Sequence, residues 1–322
     1  MSELDKEVDL FNMDTDDSTL DFLNKKEKNN DGIYRPKLES AKDPKKGYIS
    51  TLRFLPNLSK EGKVGVSAIE KHIHYVNLPN NEDLRGYYDC AKNYTDKCEI
   101  CTMFWKFHNS KNAADVEKAE LIKRSTKYYS YVLIVEDENQ PELEGKILIY
   151  PYGYKIKEKI NDEKNGVADE KCNIFDLANG KDFRLVIKKV GEFSNYDSST
   201  FLKKSAIKIS GKEVPTSINE ASGKNSIVPK FQAKLRSFLL EREVELDDNK
   251  AKEWDDETKG KVSKIISVIS GDDIDFAETS IKNTSKGKNS SIEDDEVDFT
   301  ETKSKTNVND DVESFFDLDD EE

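Results

Sequence analysis

Hydrophobic and polar positions divide the chain into three stretches. Residues 1–30 are polar, with apolar positions spaced only weakly for a helix at Leu20, Phe22 and Leu23. Such a segment folds only against something else. From Tyr34 the pattern becomes strand-like. Tyr48–Leu55 is rich in aromatic and β-branched residues and stops at Pro56, and Tyr128–Val135, Ile147–Tyr154 and Phe183–Val190 follow in the same style. The charged stretch 136–146 reads as the turn of an antiparallel hairpin. Helical spacing takes over later. Phe231, Leu235, Phe238 and Leu239 form one stripe behind Pro229, and Val262, Ile265, Ile266 and Ile269 form another that ends at Gly271. Beyond it the chain is rich in Ser, Lys and Asn and then acidic, the composition of a linker and a disordered tail. The expected fold class is α+β, β-dominated. Short strands of similar length favour a small Greek-key or partly open barrel over a parallel α/β sheet.

Charge changes this picture once it is divided by position. The 322 residues carry a net charge of −14 and a mean hydropathy of −0.80. Residues 25–240, however, hold 39 Lys/Arg against 30 Asp/Glu, a balance of +9, whereas residues 1–24 stand at −7 and residues 291–322 at −12. A basic body between acidic ends points to a polyanionic partner. No run reaches the roughly 18 apolar residues of a membrane span, and the N-terminus lacks a secretory signal, so the expectation is a protein that is neither membrane-bound nor secreted.

The cysteines supply candidate chemistry. Cys90, Cys98 and Cys101 fall within twelve residues and Cys172 stands apart. Counted from His74, the pattern is H-x15-C-x7-C-x2-C. Three thiolates and one imidazole complete a tetrahedral zinc shell with no position left for water, which predicts one structural Zn(2+) per chain rather than a catalytic metal. His72 and His74 share a face of an extended segment about 6.6 Å apart, so one metal takes only one of them; His74 is favoured, with His72 the alternative. His108 reads as a packing or surface residue.

Aromatic residues interleaved with bases supply the second candidate site. Leu148, Tyr150, Tyr152 and Tyr154 are expected on one strand face, where exposed rings would each offer a base about 1–3 kcal/mol of stacking. Lys123, Arg124 and Lys127 stand beside Tyr128 and Tyr129, where cations could follow a phosphate backbone. Individually, several of these tyrosines fit a core position equally well.

The chain resembles the single-stranded DNA-binding (helix-destabilising) proteins of T-even-type bacteriophages. The resemblance rests on Gly191–Asp197 with Phe201-Leu202 and Ser205–Ile207, on Lys123–Tyr129 running into Val132–Val135, on Glu144-Gly145-Lys146 leading to Tyr150 and Gly153, on Arg53–Pro56, and on the metal-ligand spacing. It covers roughly residues 34–271, and the acidic tail agrees in composition. It implies an OB-fold body with an inserted zinc-binding subdomain (about 65–110) within a core of 31–275, flanked by an acidic N-terminal segment (1–30) that mediates self-association and a disordered acidic tail (276–322). It implies His74, Cys90, Cys98 and Cys101 as zinc ligands, with Cys172 outside the set. It places Arg53, Lys123, Arg124, Lys127, Tyr128, Tyr129, Tyr150, Phe193 and Tyr196 at or near the DNA path, with Tyr94 and Trp105 aligning more loosely. The implied function is coating of single-stranded DNA, largely without sequence preference, during phage replication, recombination and repair in the cytoplasm of the infected bacterial host. Neighbouring copies on the strand and replication and recombination proteins are the implied partners.

One departure stands out. Family members carry a basic cluster before a Ser-Thr pair near the N-terminus, whereas here Ser18-Thr19 follows Asp14-Thr15-Asp16-Asp17. A segment docking on a neighbour would draw its cations from Lys25, Lys26 and Lys28. The tail, Asp310–Glu322, mixes carboxylates with Phe315, Phe316 and Leu318 and is expected to occupy the cationic cleft when DNA is absent. Two other readings compete: a zinc-ribbon scaffold that binds only protein, and a zinc-dependent nucleic-acid enzyme. The enzyme lacks support, because His72-Ile73 is followed by His74 where a zinc deaminase needs Glu, and no phosphate-binding loop is present.

Overall fold

The computed structural model describes residues 32–271, apart from 168, 169, 192 and 221. The acidic N-terminal segment, the Ser18-Thr19 pair and the tail from 276 onward lie outside the described residues. Within them the body is a mixed structure around one mostly antiparallel sheet. The strands are β1 (Tyr48–Phe54), β2 (Ile69–Val76), β3 (Gly86–Asp89), β4 (Arg124–Glu136), β5 (Ile147–Tyr152), β6 (Lys181–Val190), β7 (Phe193–Asn195) and β8 (Thr200–Lys204). They run in the order β3-β2-β4-β1-β6-β7, with β5 added to β4 and β8 to β6.

The long strand β4 organises the sheet. One edge pairs with β2 over Arg124–Tyr129 and then with β1 over Val132–Glu136, while the other edge pairs with β5 over Tyr128–Leu133. The expected hairpin at 136–146 forms here. Its turn is tied down by the fully buried Asp137, whose Oδ2 accepts from the Tyr34 and Tyr48 hydroxyls, each at 2.6 Å, and whose Oδ1 accepts from the backbone of Asn139 and Gln140. A buried carboxylate is tolerated only when so fully satisfied.

Alternation along β4 feeds two apolar layers. Tyr131 and Leu133 face a cluster with Leu55, Ile147, Ile149 and the stripe Phe231, Leu235 and Leu239 of the helix Pro229–Leu240. Val132 and Ile134 face the opposite cluster with Leu52, Phe54, Leu148, Tyr150, Tyr152 and Phe183. Both expected C-terminal helices are present. Pro229 opens the first, where its missing N–H costs nothing, and Gly271, at φ 80°, closes the second, Asp256–Ser270. That last helix buries Val262, Ile265 and Ile269 against the cysteine-bearing segment rather than the strand body.

Two further helices lie in that segment, Glu99–His108 and Ala113–Glu120. A fifth, Tyr154–Asn165, corrects the expectation for Tyr154. The strand ends at Tyr152, Gly153 caps a helix, Ile156 and Ile160 point to the core layer, and Gly166 terminates it at φ 71°. Tyr154 therefore sits on a helix and not on the strand face with Tyr150. Numbered in chain order, the five are α1 (Glu99–His108), α2 (Ala113–Glu120), α3 (Tyr154–Asn165), α4 (Pro229–Leu240) and α5 (Asp256–Ser270).

Candidate metal centre and nucleic-acid interface

The metal ligands come from three local structures. His74 lies near the end of β2, Cys90 directly after β3, and Cys98 and Cys101 at the N-cap and in the first turn of α1. Pairing of His74 with Tyr88 in the β2–β3 register, and the bond from the Cys90 amide to the His72 carbonyl at 2.9 Å, bring the first two together. The helical turn presents the other two, with Thr102 donating through both its amide and its hydroxyl to the Cys98 carbonyl.

The four ligand atoms lie within 4.8 Å of one another, and all four residues are buried. The His74 Nε2 is 3.5 Å from Cys98 Sγ and 3.4 Å from Cys101 Sγ, and the Cys90 and Cys101 sulfurs are 3.5 Å apart. A tetrahedral zinc with its ordinary bond lengths sets these separations at roughly 3.6 Å for N···S and 3.8 Å for S···S. These three separations lie within a few tenths of an ångström of the values a tetrahedral metal sets. His74 Nδ1 faces the Ile122 carbonyl at 3.0 Å, which holds the ring with Nε2 toward the sulfurs. Hydrogen bonding from Cys101 and Cys90 holds the Cys98 thiol far below its ordinary range, so the cluster favours a thiolate at that position.

His72 is not part of the cluster. Its Nδ1 meets Thr126 Oγ1 at 2.9 Å, and Glu70 lies 3.7 Å from its Nε2. Cys172 is likewise elsewhere, buried with its thiol toward the Asn179 carbonyl, and burial raises its pKa. His108 stacks on Phe104 with ring centroids 5.3 Å apart.

The expected DNA-facing residues divide into exposed and buried sets. Phe193 is 50% exposed on β7, Tyr196 is half-buried beside it, Arg124 is exposed, and Lys123 pairs with Glu120 at 3.0 Å on the surface. Tyr128 is buried to 6% exposure and stacks on Tyr152, with ring centroids 5.7 Å apart. Lys157 Nζ sits 5.1 Å over the Tyr128 ring and 5.5 Å from that of Tyr154, which is 56% exposed. Lys155 and Lys159 reach Asp197 at 3.4 and 3.2 Å, fixing α3 beside the Phe193–Tyr196 segment. The result is a surface carrying Tyr154, Phe193, Tyr196 and three lysines above an aromatic stack.

Arg53 and Tyr150 are both buried, so neither presents its side chain at the surface. Arg53 is fully buried in the middle of β1, paired across the ladder with Asp182 of β6. Its guanidinium donates to Asp182 Oδ1 at 3.1 Å and to the carbonyls of Asp176 and Ser205 at 2.8 and 3.0 Å. Those contacts make it a staple between strand and loops, with no side toward solvent. Tyr150, 2% exposed, packs its ring 5.9 Å from that of Tyr34 and stacks on Tyr152 at 5.8 Å, which makes it the inner member of the Tyr128–Tyr152 stack. Tyr129 and Lys127 are half-buried on the sheet face opposite Tyr128, as strand alternation requires. Tyr94 accepts from the Trp254 amide at 3.1 Å, and Trp105 is 51% exposed on α1.

Lys155, Lys157 and Lys159 escape the sequence pattern, which continues as strand through Tyr154. Gly153 ahead of Ile156 and Ile160 at helical spacing, with Gly166 behind, is the signal that reveals the helix and hence the lysine row.

Over 184 residues the chain is 33% identical to the single-stranded DNA-binding protein of Enterobacteria phage T4, an overlap of 55% of this chain and 56% of that protein. It is 31% identical over 185 residues to the single-stranded DNA-binding protein of Enterobacteria phage T2, with the same coverage. The chain thus spans about half the length of the curated relatives it matches. The family described as gp32 DNA binding protein like matches residues 47–229, the stretch that holds the metal-ligand cluster, the lysine row of α3 and the Phe193–Tyr196 segment. With more than half of its length matched, the chain belongs to that family.

Proposed function

We propose that the protein binds and coats single-stranded DNA, largely without sequence preference, during phage DNA replication, recombination and repair in the infected host's cytoplasm. It acts as a binding protein and not as an enzyme. The observation that carries this reading is the family match over residues 47–229, the stretch that also holds Tyr154, Phe193 and the lysines of α3. Exposed Phe193 and Tyr154 offer faces for bases, and Lys155, Lys157 and Lys159 supply cations around the end of α3, whose first turn holds no acidic residue. The strand body supports an OB-fold reading through its antiparallel sheet wrapped around β4. On this reading Arg124, Phe193 and Tyr196 line the path, Tyr128 supports it from the buried stack under Lys157, and Arg53 and Tyr150 hold the sheet that carries it.

The His74, Cys90, Cys98 and Cys101 set fits a structural Zn(2+), which when bound would neutralise the thiolates and lock the β2–β3 pair to α1. Among the described residues no helix is long and apolar enough to cross a membrane. The acidic tail is proposed to compete with DNA for the cationic surface and, once displaced, to recruit replication and recombination proteins. The N-terminal segment is proposed to contact neighbouring copies.

Quenching of intrinsic fluorescence by oligo(dT) at several salt concentrations tests the central claim. Stacking and phosphate contacts predict strong quenching, with an affinity that falls steeply as salt rises. A protein-only scaffold gives neither response, and that result would overturn the reading.

A further inference from the structure

A second aromatic surface lies on the opposite side of the same sheet. Register and alternation put Lys71, Ile73 and Tyr75 of β2, Ser125, Lys127 and Tyr129 of β4, and Tyr87 and Asp89 of β3 on one face. The Lys71–Asp89 ion pair at 2.8 Å and the Tyr75–Tyr87 ring contact at 5.0 Å follow from that arrangement. The 252–254 segment covers its Asp89 end, through Lys252 N to the carboxylate and Trp254 Nε1 to the carbonyl. The other end stays open. Tyr87 is 44% exposed on the edge strand, Tyr75 lies tilted against it, and exposed Arg85 donates through Nε to the Tyr75 hydroxyl at 3.0 Å. The result is a half-exposed ring whose orientation is set by a second tyrosine and an arginine.

The two faces meet at an open edge. β5 pairs with β4 only from Tyr128 onward, and among the described residues no strand pairs with Arg124–Lys127 on the side away from β2. Four strand residues span about 13 Å. Over that width, side chains alternate between the Tyr128 face, which carries Arg124 and Thr126, and the Tyr87 face, which carries Ser125 and Lys127. A polyanion following Arg124 over this edge meets Lys127 on the Tyr87 face, where Asp89 is engaged by Lys71 and the 252–254 segment. Glu70, across the ladder from Tyr128 and 51% exposed, is the acidic group beside that path, and Arg85 lies at the far end of the face.

We infer that a single strand lying on the Tyr154–Phe193 surface continues over this edge and stacks a base on Tyr87, with Tyr75 as its buttress and with Lys127 and Arg85 toward its phosphates. The inference rests on the proposed single-strand binding and extends its footprint to the metal-bearing region.

The test uses the full chain with its metal bound and two oligo(dT) probes, one of about 4 nucleotides and one of about 16, which bracket the footprint of a single OB fold. Tyr87→Ala should weaken binding of the long probe about five- to tenfold, near the low end for loss of one stacked base, and leave the short probe unchanged. Tyr87→Phe, which keeps the ring, should bind like the wild type. Phe193→Ala should weaken both probes. Wild-type affinity of Tyr87→Ala for the long probe, while Phe193→Ala loses affinity, would overturn the inference and leave the primary surface standing. Equal loss on both probes together with metal loss would make Tyr87 a structural residue and also overturn it. No binding of either probe by the wild type would sink the underlying function instead.

Discussion

Replacing Arg53 separates two roles that the sequence alone cannot distinguish. In the Arg53→Met variant Asp182 stays in the sheet with its carboxylate 2% exposed, and its remaining partner is Lys208 at 3.1 Å. Breaking a buried pair by removing one partner costs about 3–5 kcal/mol, and the surviving lysine contact argues for the lower end, about 3 kcal/mol. Two loop carbonyls, of Asp176 and Ser205, also lose their donor. For a body of this size each kcal/mol shifts the melting temperature by roughly 2–4 °C, so the expected drop is about 6–12 °C. Arg53→Lys should fall part of the way, because one ammonium cannot serve the carboxylate and both carbonyls in the geometry of the fork. Calorimetry gives the stability, and oligo(dT) titrations well below the melting transition give the salt dependence. A buried staple leaves the salt slope at its wild-type value. A phosphate contact would lower the slope by about 0.7 and leave the melting temperature nearly unchanged, and that outcome would refute the structural assignment.

Other expectations follow from the same geometry. His74→Ala should release the metal and His72→Ala should retain it, as measured by metal content after dialysis, because only His74 lies within reach of the three sulfurs. Asp137→Ala should destabilise the body by roughly 3–5 kcal/mol, since the Tyr34 and Tyr48 hydroxyls lose their buried acceptor; denaturant unfolding that shifts by less than about 1 kcal/mol would contradict this. Burial comes first among the causes that push Tyr131 and Tyr152 up to about 12, above the unfolded value of about 10. Their neutral forms therefore contribute stability that is complete below pH 10 and lost as pH rises through 12. Tyrosinate absorbance should accordingly appear in two phases, the later one coincident with loss of circular dichroism. Deleting residues 291–322 should tighten single-strand binding at low salt, and unchanged affinity would remove the tail from the regulation of DNA access.

The strands and the two C-terminal helices were legible because their signals are local. Aromatic and β-branched runs ended by proline, and apolar stripes bounded by Pro229 and Gly271, follow from the side-chain periods of 2 and 3.6 residues. The cysteine spacing was legible for a similar reason, since Cys98 and Cys101 share one helical turn and need no distant partner to be brought together. What failed depended on facing and depth. Tyr128 and Tyr129 are adjacent in sequence and so point to opposite faces, and a cluster of tyrosines in a motif does not say which of them is covered. Arg53 looks like any surface cation until Asp182, 129 residues away in the chain, arrives opposite it. The Tyr154 helix was lost to a strand pattern that ran on through Tyr150-Pro151-Tyr152, where the Gly153 cap was the deciding signal.

The metal cluster and the Tyr75–Tyr87 surface are mechanically one unit. His74 and Tyr75 are consecutive on β2, and Cys90 follows β3 three residues after Tyr87, so a metal bound by His74 and Cys90 clamps the two strands whose outer face carries the tyrosine pair. Cys98 and Cys101 fix α1 to the same clamp, and α5 packs its Val262–Ile269 stripe on that assembly. Structural zinc contributes on the order of 10 kcal/mol to small folds that depend on it. Its removal should therefore loosen β2, β3, α1 and α5 together, while β1, β5, β6 and α4, which bury their own layers against β4, keep their packing. Native-state hydrogen exchange before and after chelation reads this directly: protection should collapse at Ile73–Val76 and Tyr87–Asp89 and persist at Leu52–Phe54 and Leu185–Ile187. Because β2 also pairs with Arg124–Tyr129, chelation should weaken binding of a long oligo(dT) more than binding of a short one. Uniform loss of protection across both layers would mean that the metal holds the whole body and not this corner of it.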